Sequence, residues 1–315
     1  MSAHHLRPQQ TIEEAIRELD SLREGERAVE RIVQFGQQAV PHLARLLLDS
    51  PPRTIAAPRC RVVRALGLLG AYSILLRYFE EYSRPYDSAV LFAEDAVRSA
   101  AATELAQAHR DDVYPILLEA AKERATNGLL EALGEFRRPE SVPLFFELLE
   151  DDLCRAEAMT QLRRTPDASA AYAMLLLRRC TDLPIHGSST LRRRRATLQL
   201  LGEFGIPERD WPEIRPYLHD SDLDCVIAAA RLGLSLAGDV DKESIFEALI
   251  EVSARMNWAQ ELEVTELLDE HRTAARPAAN TVAVRHADEG EKPNWGSPFW
   301  RILYHVLGDH LEQEP

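Results

Sequence analysis

The chain reads as an all-α protein whose helix pairs stack into a right-handed α-α superhelix, and three observations predict this. Gly36, Gly67, Gly134, Gly202 and Gly233 fall at spacings that are one or two multiples of roughly 31–34 residues. Each follows an amphipathic stretch with apolar residues at helical spacing. Hydrophobic residues make up 45 % but aromatics only 7 %, so the core must be built from Leu, Ala and Val, which favour close helix packing. A stacked repeat also explains how 315 residues fold without one oversized core, because each repeat contacts only its neighbours.

Residues 1–25 are expected to hold an N-terminal capping helix. In TIEEAIRELDSLR, Thr11 is placed to cap and Glu14, three residues on, completes a capping box. Ile12, Ala15, Ile16 and Leu19 form one stripe at helical spacing. Residues 26–271 then repeat one grammar. ERAVERIVQFG followed by AVPHLARLLLD is the first pair, with Ala28, Val29, Ile32 and Val33 inward on one helix and Val40, Leu43, Leu46 and Leu47 on the other. Gly36 stands where a left-handed residue ends a helix, and Pro41 where a first turn needs no N–H. Six more pairs follow, opening with RCRVVRALGLLG, DAVRSAAATELAQA, NGLLEALGEF, DLCRAEAMTQL, LRRRRATLQLLGEFG and DLDCVIAAARLGLSLAG. Gly134 and Gly202 are expected either to be left-handed or to admit a close helix approach. Residues 49–58, with three prolines, read as an inter-repeat loop. Residues 272–298, rich in Pro, Ala and polar side chains, are expected to be an irregular linker. Residues 299–315 are expected to form an amphipathic helix that either caps the last repeat or docks a partner.

The endings Ala65-Leu66-Gly67 and Ala132-Leu133-Gly134, with the starts Val40-Pro41 and Val142-Pro143, resemble the short bacterial form of the HEAT-like repeat family over roughly residues 26–270. Ala132–Phe136 and Leu200–Phe204 also match closely in sequence. The third and fifth pairs lack the glycine. Tetratricopeptide repeats have a similar period, but their Trp and Tyr signature is missing. The resemblance implies a solenoid whose second helices line a concave surface that holds another protein. It also brings enzymatic relatives into view: alkylpurine glycosylases, which pair aromatic and acidic residues in a basic groove, and lyase subunits acting on bilins. Metal-binding hydroxylases of this type use paired His-Glu dipeptides, and the sequence contains none.

Charge bounds the partner. The net charge is -14, of which residues 221–315 carry -10. An acidic third repels phosphate backbones and favours a basic partner surface. Nucleic-acid binding needs a basic stripe along several repeats, and only Arg192–Arg195 is dense in arginine. Four consecutive arginines span about 400° of a helix, so they cannot all face one ligand. Arg192, Arg193 and Arg195 are therefore candidates for a partner patch, against the reading that they pair with neighbouring carboxylates. Trp295, Trp300 and Tyr304 crowd into ten residues and are the other partner-binding candidates.

Nothing in the sequence carries catalysis. Nucleophile-elbow, Walker and dinucleotide motifs are absent. Cys60, Cys154, Cys180 and Cys225 lie far apart, without zinc or disulfide spacing, and the histidines are scattered. No metal and no cofactor is expected. The first ten residues lack an apolar signal core, and no run of about 18 apolar residues occurs, so a reducing cytoplasm is the expected location. The expected function is a non-catalytic protein–protein scaffold or adaptor. The alternatives are an enzyme or enzyme subunit, such as a DNA-base glycosylase or chromophore lyase, and an inhibitor or immunity protein for a basic partner.

Overall fold

The computed structural model describes residues 11–82, 87–180, 191–236 and 241–308. Among these residues every regular element is helical. The chain divides into two compact units, Met1–Arg164 and Thr165–Pro315.

The first unit opens with α1 (Ile12–Glu18). Its capping box is present: the Glu14 amide donates to Thr11 Oγ1 at 3.2 Å and the Thr11 amide to Glu14 Oε2 at 2.9 Å. Helices α2 (Gly25–Gln34), α4 (Ala57–Leu68), α6 (Ser88–Gln107), α8 (Asn127–Glu135) and α10 (Arg155–Arg163) stack in sequence as one layer. Between them run α3 (Val40–Ala44), α5 (Tyr72–Glu80), α7 (Val113–Glu123) and α9 (Val142–Glu147). Pro41 and Pro143 sit in the first turns of α3 and α9, where the missing N–H costs nothing. Beneath the layers lies a polar core. Glu94 accepts from the Tyr78 hydroxyl at 2.7 Å and faces Arg59 Nε at 3.0 Å, all three residues buried. Arg98 is fully buried, donates to the Ala120 carbonyl at 3.0 Å and lies 4.2 Å over the Tyr82 ring.

The second unit contains α11 (Pro166–Cys180), α12 (Leu191–Phe204), α13 (Trp211–Ile214), α14 (Leu223–Ser235), α15 (Lys242–Val252), α16 (Trp258–Glu270), α17 (Arg272–Asp288) and α18 (Pro298–Leu307). The first helices α12, α14 and α16 stack side by side, as do α15 and α17. The segment expected to be an irregular linker is thus mostly α17, the second helix of an eighth pair; the correction has a physical basis. The buried face of α17 is Ala275, Ala278, Ala279 and Val282, an i, i+3, i+4, i+7 stripe whose small side chains give little hydrophobic signal. Pro277 interrupts the helix interior but faces solvent, and its ring removes one backbone bond without breaking the packed stripe.

The repeat glycines divide, and only Gly202 departs from both expectations, since it is neither left-handed nor crowded. Gly36 is left-handed, with φ +60°. Gly67, Gly134, Gly202 and Gly233 lie inside helices. The left-handed stop after α12 is Gly205, with φ +76°, three residues beyond Gly202. Gly134 admits the Gln161 side chain. A Cβ on Gly233 would sit 2.5 Å from the Trp211 ring and 2.6 Å from Ile245 Cδ1. Both neighbours are core residues, so Gly233→Val is expected to cost about 1–3 kcal/mol through overpacking. Thermal unfolding checks this, and an unchanged melting temperature would contradict it.

Helix α18 packs on α15, α16 and α17 and buries Phe299, Trp300, Ile302, Leu303, Val306 and Leu307. His286 of α17 lies against it, its ring 4.5 Å from that of Phe299. The same imidazole faces Glu291 at 2.8 Å through Nδ1 and Glu251 at 3.2 Å through Nε2. Partial burial disfavours the imidazolium, but the hydrogen bonds to Glu291 and Glu251 outweigh it and raise the pKa above the ordinary value. A raised folded-state pKa stabilises the protein fully below the unfolded value of about 6.5 and loses that contribution as pH climbs through the folded value. The stability difference between wild type and His286→Gln is therefore expected to shrink as pH rises from mildly acidic to alkaline. Its size at low pH should be about 0.2–1 kcal/mol, the range of partly exposed pairs. Urea titrations at several pH values test it; a difference that grows with pH would sink the assignment.

Candidate partner-binding groove

Three successive first helices of the second unit present the same kind of face. On α12 it runs Arg195, Leu198, Gly202 and Glu203; on α14, Asp224, Ile227, Ala228 and Arg231; on α16, Glu263, Leu267 and Glu270. In each case charged positions about two turns apart flank apolar or small positions between them, the spacing that shares one helix face. Together they line a groove of about 810 Å³. The other clefts described are smaller, about 410 Å³ beside α5 and α7, about 370 Å³ beside α15 and α17, and about 190 Å³ beside α1 and α4. The expectation that second helices line the binding surface therefore does not hold for this groove, which is built on first helices.

The floor is sealed below and small above. Leu198, Ile227, Leu232 and Leu267 are buried, whereas Gly202 is exposed and Ala228 half-buried. A Cβ built on Gly202 would meet nothing within 4 Å, so this glycine is neither strained nor crowded. Gly202→Leu is accordingly expected to leave the fold intact and to raise stability by up to about 1 kcal/mol through helix propensity. Thermal unfolding measures it, and a loss of more than about 1 kcal/mol would show that the site is crowded after all.

The rim is ionic. Arg195 donates through Nε to Asp222 Oδ1 at 2.7 Å and approaches Asp224 at 3.0 Å. Asp222 also caps α14, accepting from the Cys225 amide at 3.1 Å. Burial alone would raise the Asp222 pKa, but Arg195 and that amide hold it below the usual carboxylate range. Arg231 pairs with Glu263 at 3.1 Å, and Gln260 Nε2 donates to Asp224 at 2.6 Å. One position deeper, Arg194 is buried and paired with Asp220 at 3.1 Å.

The residues singled out from sequence are dispersed. Of the arginines in the run, Arg195 lines the groove; Arg192 is exposed one turn before it on the same side of α12, outside the lining, and Arg193 is half-buried on another face. Trp295, Trp300 and Tyr304 belong to the α18 region. Trp300 is buried, while Trp295 is 62 % exposed and stacks on Tyr304 with centroids 4.5 Å apart. Sequence reasoning missed Asp224, Arg231, Glu263 and Glu270. The i, i+7 spacing of Asp224 with Arg231 and of Glu263 with Glu270 was the available signal.

Burial pushes the thiols of Cys60, Cys154 and Cys225 up, which suppresses thiolate reactivity. Ser235, which lines the groove, donates its hydroxyl to the Leu232 carbonyl at 2.7 Å. His286, Glu289 and Glu291 bring ligand-type atoms within 4.8 Å of one another, but both imidazole nitrogens are already engaged by Glu291 and Glu251. No helix among the described residues is long and apolar enough to cross a membrane.

No family model matches the chain, and no curated protein matches it. Among solved structures it is similar to the complex of CpcE and CpcF of phycocyanin lyase from Nostoc sp. PCC7120, with 20 % identity over 85 % of this chain and 97 % of that chain and a TM-score of 0.36. That likeness does not carry the neighbour's activity to this chain.

Proposed function

We propose that the protein is a non-catalytic scaffold of the HEAT-like kind that holds a segment of another protein in the α12–α14–α16 groove. One observation carries this reading: three consecutive first helices repeat a face of charged, small and apolar positions and enclose about 810 Å³ between them. A surface of this size built from several repeats is what solenoids use to hold proteins. The pairing of the groove carboxylates Asp224 and Glu263 with Arg195 and Arg231 holds charged side chains in fixed places along the rim, which supports a recognition role.

A photo-crosslinking side chain at the exposed groove position Gln199 tests the proposal in cells. It should trap a defined protein that is not trapped when the same group replaces Arg27, whose side chain is 75 % exposed on the first unit. The adduct should vanish when Gly202→Leu fills the groove. Equal trapping from both positions, or an adduct indifferent to Gly202→Leu, would remove the groove from the mechanism.

A further inference from the structure

Taking the groove to be a protein-binding site, we propose that its occupant is an amphipathic α-helix of the partner that carries arginine or lysine on the face it presents.

The charge follows from the lining. Asp224, Glu263 and Glu270 stand against Arg195 and Arg231, and each arginine already faces a groove carboxylate, at 3.0 Å and 3.1 Å. Arg195 is further shared with Asp222. A cation entering the groove meets surplus negative charge, and an anion meets repulsion. The sequence from 221 to 315 carries the same sign, -10 in all, and a net charge of that sign favours encounter with a cationic segment.

The helical form follows from the backbone. An extended peptide leaves its N–H and C=O groups to be satisfied by its receptor, usually along a sheet edge. The described residues contain no strand; among those that line the groove Gln199 is the one side-chain amide, Ser235 is bonded to the Leu232 carbonyl, and Arg195 and Arg231 are paired with carboxylates. A helix satisfies its own backbone and needs only a surface for its side chains. Three packed helices at about 8–10 Å spacing span a trough about 16–20 Å across, which accommodates about three turns of a helix lying over them. The exposed Gly202 and half-buried Ala228 let that helix approach closely, and the cationic side chains reach the rim at Glu270.

The test uses two helix-stabilised Leu/Ala peptides of about 18 residues, or about five turns. One carries arginines one and two turns apart on a single face; the other replaces each arginine with glutamine. Each is titrated into the full-length protein by fluorescence anisotropy. The arginine peptide is expected to bind at least about tenfold tighter than the glutamine peptide, and progressively less tightly as salt is added. It should weaken about tenfold on Gly202→Leu, which keeps the net charge, and also on Glu270→Gln, while neither variant melts below wild type. Equal binding of the two peptides would overturn the cationic occupant while leaving the crosslinking result at Gln199 to decide the groove itself. Equal binding of the arginine peptide to wild type and Gly202→Leu would show attraction to acidic surface elsewhere, and would also overturn the proposal. A duplex oligonucleotide is expected not to bind; tight, salt-sensitive binding of the duplex would refute the charge argument.

Discussion

A chain ended after Asn294 is expected to lose the cooperative unfolding transition of its second unit. Helix α18 contributes six buried large side chains, from Phe299 to Leu307. At about 1.5–3 kcal/mol each their burial is worth on the order of 10 kcal/mol, as much as the entire stability of an ordinary domain, about 5–15 kcal/mol. Polar anchors would go with them. Arg301 holds Glu261 through two contacts of 2.6 Å, Arg272 donates to the His305 carbonyl at 2.7 Å, and His305 faces Asp269 at 2.8 Å. The faces of α15, α16 and α17 that pack on α18 would meet water. The measurements are thermal unfolding by circular dichroism, binding of an apolar dye, and monodispersity by light scattering. The expected result is a lowered or lost transition with strong dye binding. A truncated chain that keeps its full melting temperature and stays monodisperse would show that α18 does not hold the end of the stack, and its aromatic face would become a docking candidate again.

Arg194→Met is expected to destabilise the protein by about 3–5 kcal/mol. The guanidinium is 4 % exposed and its partner Asp220 is fully enclosed. Asp220 Oδ1 also accepts from the Asp222 amide at 2.9 Å, which fixes the turn into α14. Removing the cation strands a carboxylate where water cannot reach it, and breaking such a pair from one side costs about that much. Adding Asp220→Asn should recover a large part of the loss, because a neutral amide keeps the turn without the uncompensated charge. Ion pairs in water behave otherwise: Arg27 and Glu24, 75 % and 46 % exposed and 3.5 Å apart, should contribute about 0–1 kcal/mol. Urea unfolding followed by circular dichroism separates the cases. A loss below about 1 kcal/mol for Arg194→Met would mean that the buried carboxylate finds another partner.

Local signals were readable from sequence. Thr11 and Glu14 lie three residues apart and need nothing distant to form their box. Pro41 and Gly36 act on their own backbone. The α17 segment is hard to read because its packed stripe is three alanines and a valine and because Pro277 carries the signature of a breaker, whose lost bond and ring clash are offset here by tertiary packing of the opposite face. Gly36 ends its helix and Gly134 admits a neighbouring side chain, as expected, but Gly202 is neither left-handed nor crowded, and Gly233 is glycine because Trp211, 22 positions earlier in the chain, occupies the space. The groove was the least readable feature. Its charges come from three helices, and only their stacking shows that Arg195 faces Asp224 and that Arg231 faces Glu263. The arginine run drew attention by its density, yet its deepest member, Arg194, is a core residue.

The division into two units has a spectroscopic consequence. All four tryptophans, Trp211, Trp258, Trp295 and Trp300, belong to the second unit. Indole emission therefore reports on that unit alone, while the peptide dichroism sums both. Trp211 and Trp300 are 8 % exposed, whereas Trp258 and Trp295 are 78 % and 62 % exposed. The first two should shift to the red on unfolding, and the others already emit from water. Overlaying the two readouts in one urea titration asks whether the halves of the chain melt together: coincident midpoints mean one cooperative transition, and separated midpoints mean two.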